Sequence, residues 1–136
     1  MTKIGVCVDA SCRGNPGPVE YQGVDLQTGK VLFHSGPYKD GTNNIGEFLA
    51  LVHALALHKK ECWNKPIYTD SNIAISWIKK KRCGSTMMET PNNDMLFDLV
   101  ARALKWLKGN HFDSDIVQKW ETRRWGEIPA DFGRKQ

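Results

Sequence analysis

Long apolar runs are missing from this 136-residue chain. None approaches the roughly 20 consecutive residues that a bilayer-spanning helix needs. The opening, Met1-Thr2-Lys3-Ile4-Gly5-Val6-Cys7-Val8-Asp9, is too short and too soon interrupted by Asp9 for an export signal. A cytosolic location with no membrane partner is therefore expected. Cysteine is sparse, and Cys7, Cys12, Cys62 and Cys83 are irregularly spaced, with no Cys-x-x-Cys pair and no histidine at finger spacing. That pattern argues against a disulfide framework or a structural zinc and leaves free thiols. Charge of one sign is only slightly in excess, at +4, which permits a nucleic-acid partner without requiring one. Repeats, low-complexity tracts and long Ser/Pro linkers are absent.

What is present is an ordinary globular composition, 40% hydrophobic and 25% charged. One domain of this size buries about two-thirds of its unfolded surface and needs no covalent staple. Lys3 to Asp9 alternates into β-rich residues, and Gly14-Asn15-Pro16-Gly17-Pro18 is a dense turn signal. Val19 to Leu26 and Lys30 to Phe33 read as two further strands around a turn at Thr28-Gly29. From Ile45 the period becomes helical, with Phe48, Leu49, Val52, Leu55 and Ala56 on one face over about four turns. Pro66 to Asp70 is a short strand and Asn72 to Lys80 a second helix. Thr90-Pro91 suggests the start of a third helix, which buries Leu96, Leu99, Val100, Ala103, Leu104 and Leu107 and stops at Gly109. Asp115 to Trp120 reads as a fifth strand, and Pro129 as the opening of a short terminal helix. These elements predict an α/β fold with one five-stranded mixed sheet, an antiparallel meander plus parallel strands, and helices on both faces.

Four carboxylates stand in places that invite a chemical reading. Asp9 follows the apolar run Ile4 to Val8, and a charge entering a core is costly unless paired or bound to metal. Asp70 ends a second apolar strand, where it could equally cap the following helix. Glu47 fits a capping box with Asn44, and Asp131 fits the first turn of a dipole-favoured terminal helix. If the first and fourth strands lie side by side, however, Asp9 and Asp70 emerge together at strand carboxyl ends, where α/β sheets gather their ligands. Glu47 and Asp131 would then join them from helix starts. Four converging carboxylates resist ionisation unless cations lie among them. All-oxygen ligation selects hard ions, with Mg²⁺ or Mn²⁺ the natural choices. Two such ions suit in-line phosphoryl displacement.

Val8-Asp9-Ala10-Ser11 with Gly14-Asn15-Pro16-Gly17, Thr42-Asn43-Asn44-Ile45-Gly46-Glu47 and Tyr68-Thr69-Asp70-Ser71 resemble type 1 ribonuclease H. Lys119-Trp120 and Trp125-Gly126-Glu127-Ile128-Pro129-Ala130-Asp131-Phe132-Gly133-Arg134 look like the closing segment of its Bacillus halodurans-like branch. The resemblance implies an endonuclease that cuts the RNA strand of RNA–DNA hybrids with two Mg²⁺ ions, leaving 5′-phosphate and 3′-hydroxyl ends. It puts the metal-binding, catalytic set on Asp9, Glu47, Asp70 and Asp131. Asp9 would bridge both ions, Asp131 would complete the site that activates water, and Glu47 and Asp70 would serve the leaving oxygen. Glu127 matches an accessory glutamate linked to product release. The resemblance further implies 2′-hydroxyl contacts from Asn43, Asn44 and Asn72, with the Cys12-Arg13-Gly14-Asn15 turn beside them. It implies a DNA-phosphate pocket at Thr42, Asn44, Ser85 and Thr86, and a backbone contact from Arg134. The basic run Lys79 to Arg82 would attract the duplex or simply be a solvated helix end.

Some features depart from the family pattern. Lys79 to Met88 is too short for the basic insertion helix some members carry, and Cys12 replaces a small hydroxyl. A monomeric, single catalytic domain spanning 1–136, without an N-terminal hybrid-binding domain, is expected. Core packing is expected for Trp77, Trp106 and Trp120. Two other readings compete: a DNA strand-transferase or junction nuclease on the same fold, and a nucleic-acid-binding module without catalysis.

Overall fold

The computed structural model describes residues 3–132. Five strands, β1 (Val6–Cys12), β2 (Gly17–Asp25), β3 (Val31–Gly41), β4 (Ile67–Thr69) and β5 (Val117–Lys119), form one sheet in the order β3-β2-β1-β4-β5. The first three pair antiparallel, whereas β4 runs parallel to β1 and β5 parallel to β4. Four α-helices are present among the described residues: α1 (Asn43–Lys60), α2 (Asn72–Lys80), α3 (Asp94–Gly109) and the single turn α4 (Thr122–Trp125).

Strand alternation sends apolar side chains to both faces. Val8, Ala10 and Tyr21 pack with α1, α2 and α3 in the larger core. Cys7, Val24 and Tyr68 pack on the other side with Trp120, Ile128 and Ala130, and Trp125 of α4 closes over them. Trp120 is buried, and Trp77 and Trp106 are half-buried against the larger core, as expected of packing residues.

Several boundaries differ from those the sequence suggests. β1 continues past Asp9 to Cys12, because its antiparallel partner β2 continues with it, from Asp9 opposite Gln22 to Cys12 opposite Val19. β3 likewise runs on to Gly41. The fifth strand is shorter than expected, since Ser114–Ile116 form a turn of 3-10 helix. α3 begins at Asp94, not at Pro91, and its N-cap is the buried Asn93. The Asn93 side chain leaves its own helix uncapped. It accepts from the Thr90 amide at 2.6 Å and donates to the Asp40 and Met88 carbonyls at 3.2 and 3.1 Å, tying three segments together. No helix opens at Pro129 among the described residues: Pro129 and Ala130 form a turn, closed by the Asp131 amide on the Ile128 carbonyl at 2.9 Å.

Gly46 sets how closely α1 approaches the sheet. A Cβ there would sit 2.7 Å from Val19 Cγ1 and 2.8 Å from Ala10 Cβ, inside van der Waals contact. In an open helix, Gly→Ala gains about 1 kcal/mol. Here Gly46→Ala is expected to destabilise by about 1–3 kcal/mol through overpacking, read as a lower urea midpoint. A raised midpoint would contradict so close an approach.

Candidate active site

The parallel ladder of β1 and β4 is short, pairing Val6 with Ile67 and Cys7 with Tyr68. Continuing that register by two residues sets Asp9 beside Asp70, where β4 has stopped and β1 has not. The chain leaves β1 toward β2 and β4 toward α2, so this is a topological switch point of the sheet. β5 fixes the end of β4 from the other side. The Trp120 amide donates to the Thr69 carbonyl at 2.8 Å and Lys119 Nζ to the Asp70 carbonyl at 2.7 Å.

The structural duties that might have explained the carboxylates belong to other residues. Ser71 caps α2, its hydroxyl accepting from the Ala74 amide at 3.0 Å, so Asp70 is not the cap. Thr42 caps α1 through the Ile45 amide at 3.4 Å. Asn44 therefore lies inside the helix, and Glu47 lies beyond the reach of a capping box. Asp131 follows a turn, not a helix start, among the described residues.

Asp9, Glu47 and Asp70 each bring a carboxylate oxygen within 4.8 Å of the others. Glu47 is only 4% exposed, and its Oε1 is buried without a hydrogen-bond partner among the described residues. Burial is the largest influence on Glu47, followed by the charges of Asp9 and Asp70, and together they hold its carboxyl far above the ordinary range. Burial also raises Asp9, with the charge of Asp70 next and that of Asp131 adding to it. A like-charged, partly buried cluster with an orphaned oxygen fits a hard divalent cation, which would supply the missing positive charge and the missing partner.

A cavity of about 620 Å³ opens over the cluster, lined by Asp9, Glu47, Asp70 and Asp131 together with Asn43, Asn44, Asn72 and Ser71. A neighbouring cavity of about 390 Å³ shares Asn43 and Asn44 and adds Cys12, Gly14 and Asn15. Cys12 turns its thiol to the Gly14 carbonyl at 2.8 Å. Other expected site residues lie elsewhere. Arg13 lines a separate cavity with Ser11, Pro18, Glu20 and Pro37. Glu127 is exposed and lines neither large cavity, and neither do Ser85 and Thr86. Ser85 accepts from the Met87 amide at 3.1 Å. Arg134 lies outside the described residues.

A family model described as RNase H matches residues 1–126. The chain belongs to the ribonuclease H family. It is 38% identical over 156 aligned positions to the ribonuclease H of Nitratidesulfovibrio vulgaris, covering all of this chain and 99% of that one. It is 36% identical over 133 aligned positions to that of Rickettsia felis, covering 85% of each. With the ribonuclease H of Desulforamulus reducens it shares 33% over 125 positions, covering 81% of this chain and 78% of that one. The structure adds Gln22 and Ser71 to the residues of interest in this family member. Gln22 had a weak signal, an uncharged polar residue inside the apolar run Val19 to Leu26.

The raised carboxyls fix the sign of a pH effect. Between the ordinary carboxyl range near 4 and the raised folded values, the metal-free folded state binds more protons than the unfolded chain. Stability present at low pH is therefore lost as pH rises through that window. Glu47→Gln removes the strongest contributor. At pH 8 without metal, the variant is expected to melt about 3–6 °C above wild type, with the gap closing toward pH 5. A variant that melts below wild type at pH 8 and not at pH 5 would contradict this electrostatic assignment.

Proposed function

We propose that the chain is an endonuclease that hydrolyses the RNA strand of RNA–DNA hybrids and leaves 5′-phosphate and 3′-hydroxyl ends. The observation that carries this reading is the buried, unpartnered Glu47 Oε1 in a cluster of acids beneath a cavity rimmed by three asparagines. Asp9, Glu47, Asp70 and Asp131 would hold two Mg²⁺ ions, with Mn²⁺ an alternative. Bound there, the cations supply charge stabilisation for in-line displacement at phosphorus. Asp9 stands two residues beyond the pairing of β1 with β4 and opposite Gln22, which bonds the closing segment at Ala130, and this would suit it to serve both ions. The closing segment's likeness to the Bacillus halodurans-like branch supports placing the chain there, with Glu127 as an accessory glutamate reached from the exposed loop.

Substrate reading falls to groups that both donate and accept. Asn43, Asn44 and Asn72 carry an amide donor and a carbonyl acceptor each, suited to the 2′-hydroxyls that distinguish RNA from DNA. Asn43 and Asn44 occupy the first turn of α1 and line both cavities, so one strand can pass from the acids to the Cys12–Asn15 turn. Thr42 accepts the Ile45 amide but keeps its hydroxyl proton for a phosphate oxygen, and the free amides at the α1 start favour the same anion. Ser85 and Thr86 remain proposed DNA-phosphate contacts from outside these cavities, Arg13 a proposed substrate contact through its turn, and Arg134 a proposed backbone contact. One monomeric domain over 1–136 is sufficient for this reading.

A labelled RNA–DNA hybrid incubated with the protein and Mg²⁺ tests it. RNA in the hybrid is expected to be cut while a DNA–DNA duplex stays intact. Asp70→Asn should lower cleavage by at least about 100-fold while hybrid affinity changes only a few-fold, because phosphate and sugar contacts survive loss of a metal ligand. Preferential cutting of branched DNA would favour the strand-transferase reading instead. Tight hybrid binding with no cleavage by wild type would favour a binding module.

A further inference from the structure

Asp131 reaches the acidic cavity from a stretch that has no helix or strand among its described residues, 126–132. The residues on either side of it are nevertheless held, and the holding groups come from two strands distant in sequence. Gln22 stands on β2 opposite Asp9 in the antiparallel ladder and is buried. Its Nε2 donates to the Ala130 carbonyl at 2.7 Å. The cross-strand partner of Gln22 on β3 is His34, whose ring lies against that of Phe132 with centroids 6.0 Å apart. His34 is steadied in turn by the Glu20 carboxylate, 2.8 Å from its Nε2. One cross-strand pair thus grips the residue before Asp131 by a hydrogen bond and the residue after it by a ring contact.

The grip is anchored in the smaller core. Alternation along β2 puts Glu20, Gln22 and Val24 on one face, and Val24 packs there with Ile128 and Ala130. A primary amide inside that core is unfavourable unless its hydrogen bonds are made. The Ala130 carbonyl supplies that partner one residue from the carboxylate that lines the cavity.

We propose that Gln22 and His34 are positioning residues for Asp131, clamping the closing segment so that its carboxylate stays at the acidic cavity. Neither lines the acidic cavity, and the proposal rests on the ribonuclease H reading above. Burial of Gln22 could instead serve packing alone, and the test separates the two roles. Gln22→Met keeps length and burial but removes the donor. His34→Ala removes the ring from a side chain that is 43% exposed, so it spares the core if Gln22→Met fails to fold.

The readouts are kcat and KM on a labelled hybrid, and Mg²⁺ affinity of the 136-residue chain by calorimetry without substrate. Gln22→Met is expected to lower kcat about 10- to 100-fold and to weaken Mg²⁺ binding about 10-fold. KM for the hybrid should move by less than about 3-fold, because substrate contacts are untouched. His34→Ala should show the same pattern at about 3- to 10-fold. In an Asp131→Asn background neither substitution should cause further loss, because groups acting through one carboxylate are not additive. Equal loss in both backgrounds, or a lower melting temperature with unchanged kcat and Mg²⁺ affinity, would assign the pair to packing and overturn the proposal. A wild-type chain that leaves the hybrid intact would overturn the functional reading instead. The Mg²⁺ titration then decides the clamp alone, and an unchanged affinity in both variants would refute it.

Discussion

Burying like charges together is the constraint on which the rest of this molecule depends. Glu47 is enclosed by protein on a helix that packs across the sheet, and Asp9 and Asp70 stand within 4.8 Å of it. Glu47 Oε1 is shielded from water, and it has no hydrogen-bond partner among the described residues. A stable fold would ordinarily replace such a group with an apolar residue or give it a partner, since an unpaired buried charge costs several kcal/mol. A divalent cation resolves the conflict, and the acids then become the means of holding it. The same arrangement explains why the metal-free protein should lose stability as pH rises.

Both faces of the sheet contribute to the cluster. α1 comes close enough to deliver Glu47 because position 46 has no side chain to hold it off Val19 and Ala10. β1 outlasts β4, so Asp9 and Asp70 meet at an opening in the sheet and not within a continuous ladder. The other face carries the closing segment, packed through Ile128 and Ala130 and held at Gln22. Site geometry is therefore inseparable from core packing, and substitutions in either core can reach the acids through it.

Much of this was legible in the residues. Helical spacing from Ile45, the Asn72 to Lys80 helix and the four displaced carboxylates all follow from local patterns, although only Asp70 stands at a strand end, since β1 runs on past Asp9. The capping alternatives for Asn44 and Asp70 stayed open in the sequence because Thr42 and Asn44, or Asp70 and Ser71, are equally good caps by composition; backbone geometry chooses Thr42 and Ser71. The expected terminal helix rested on Pro129, but packing of Ile128 and Ala130 into the smaller core holds that stretch in a turn. Asn93 and Gln22 were hidden because their partners, Asp40 and Ala130, lie 53 and 108 residues away. Long-range polar contacts of that kind leave almost no local trace.

A crystal soaked in Mn²⁺ and measured for anomalous scattering tests the central claim most directly. Anomalous density is predicted in the acidic cavity, bonded to Glu47 Oε1 as well as to Asp9 and Asp70, at about 2.0–2.3 Å, as hard cations bind oxygen. Density confined to surface carboxylates, with Glu47 Oε1 still unliganded, would contradict the account.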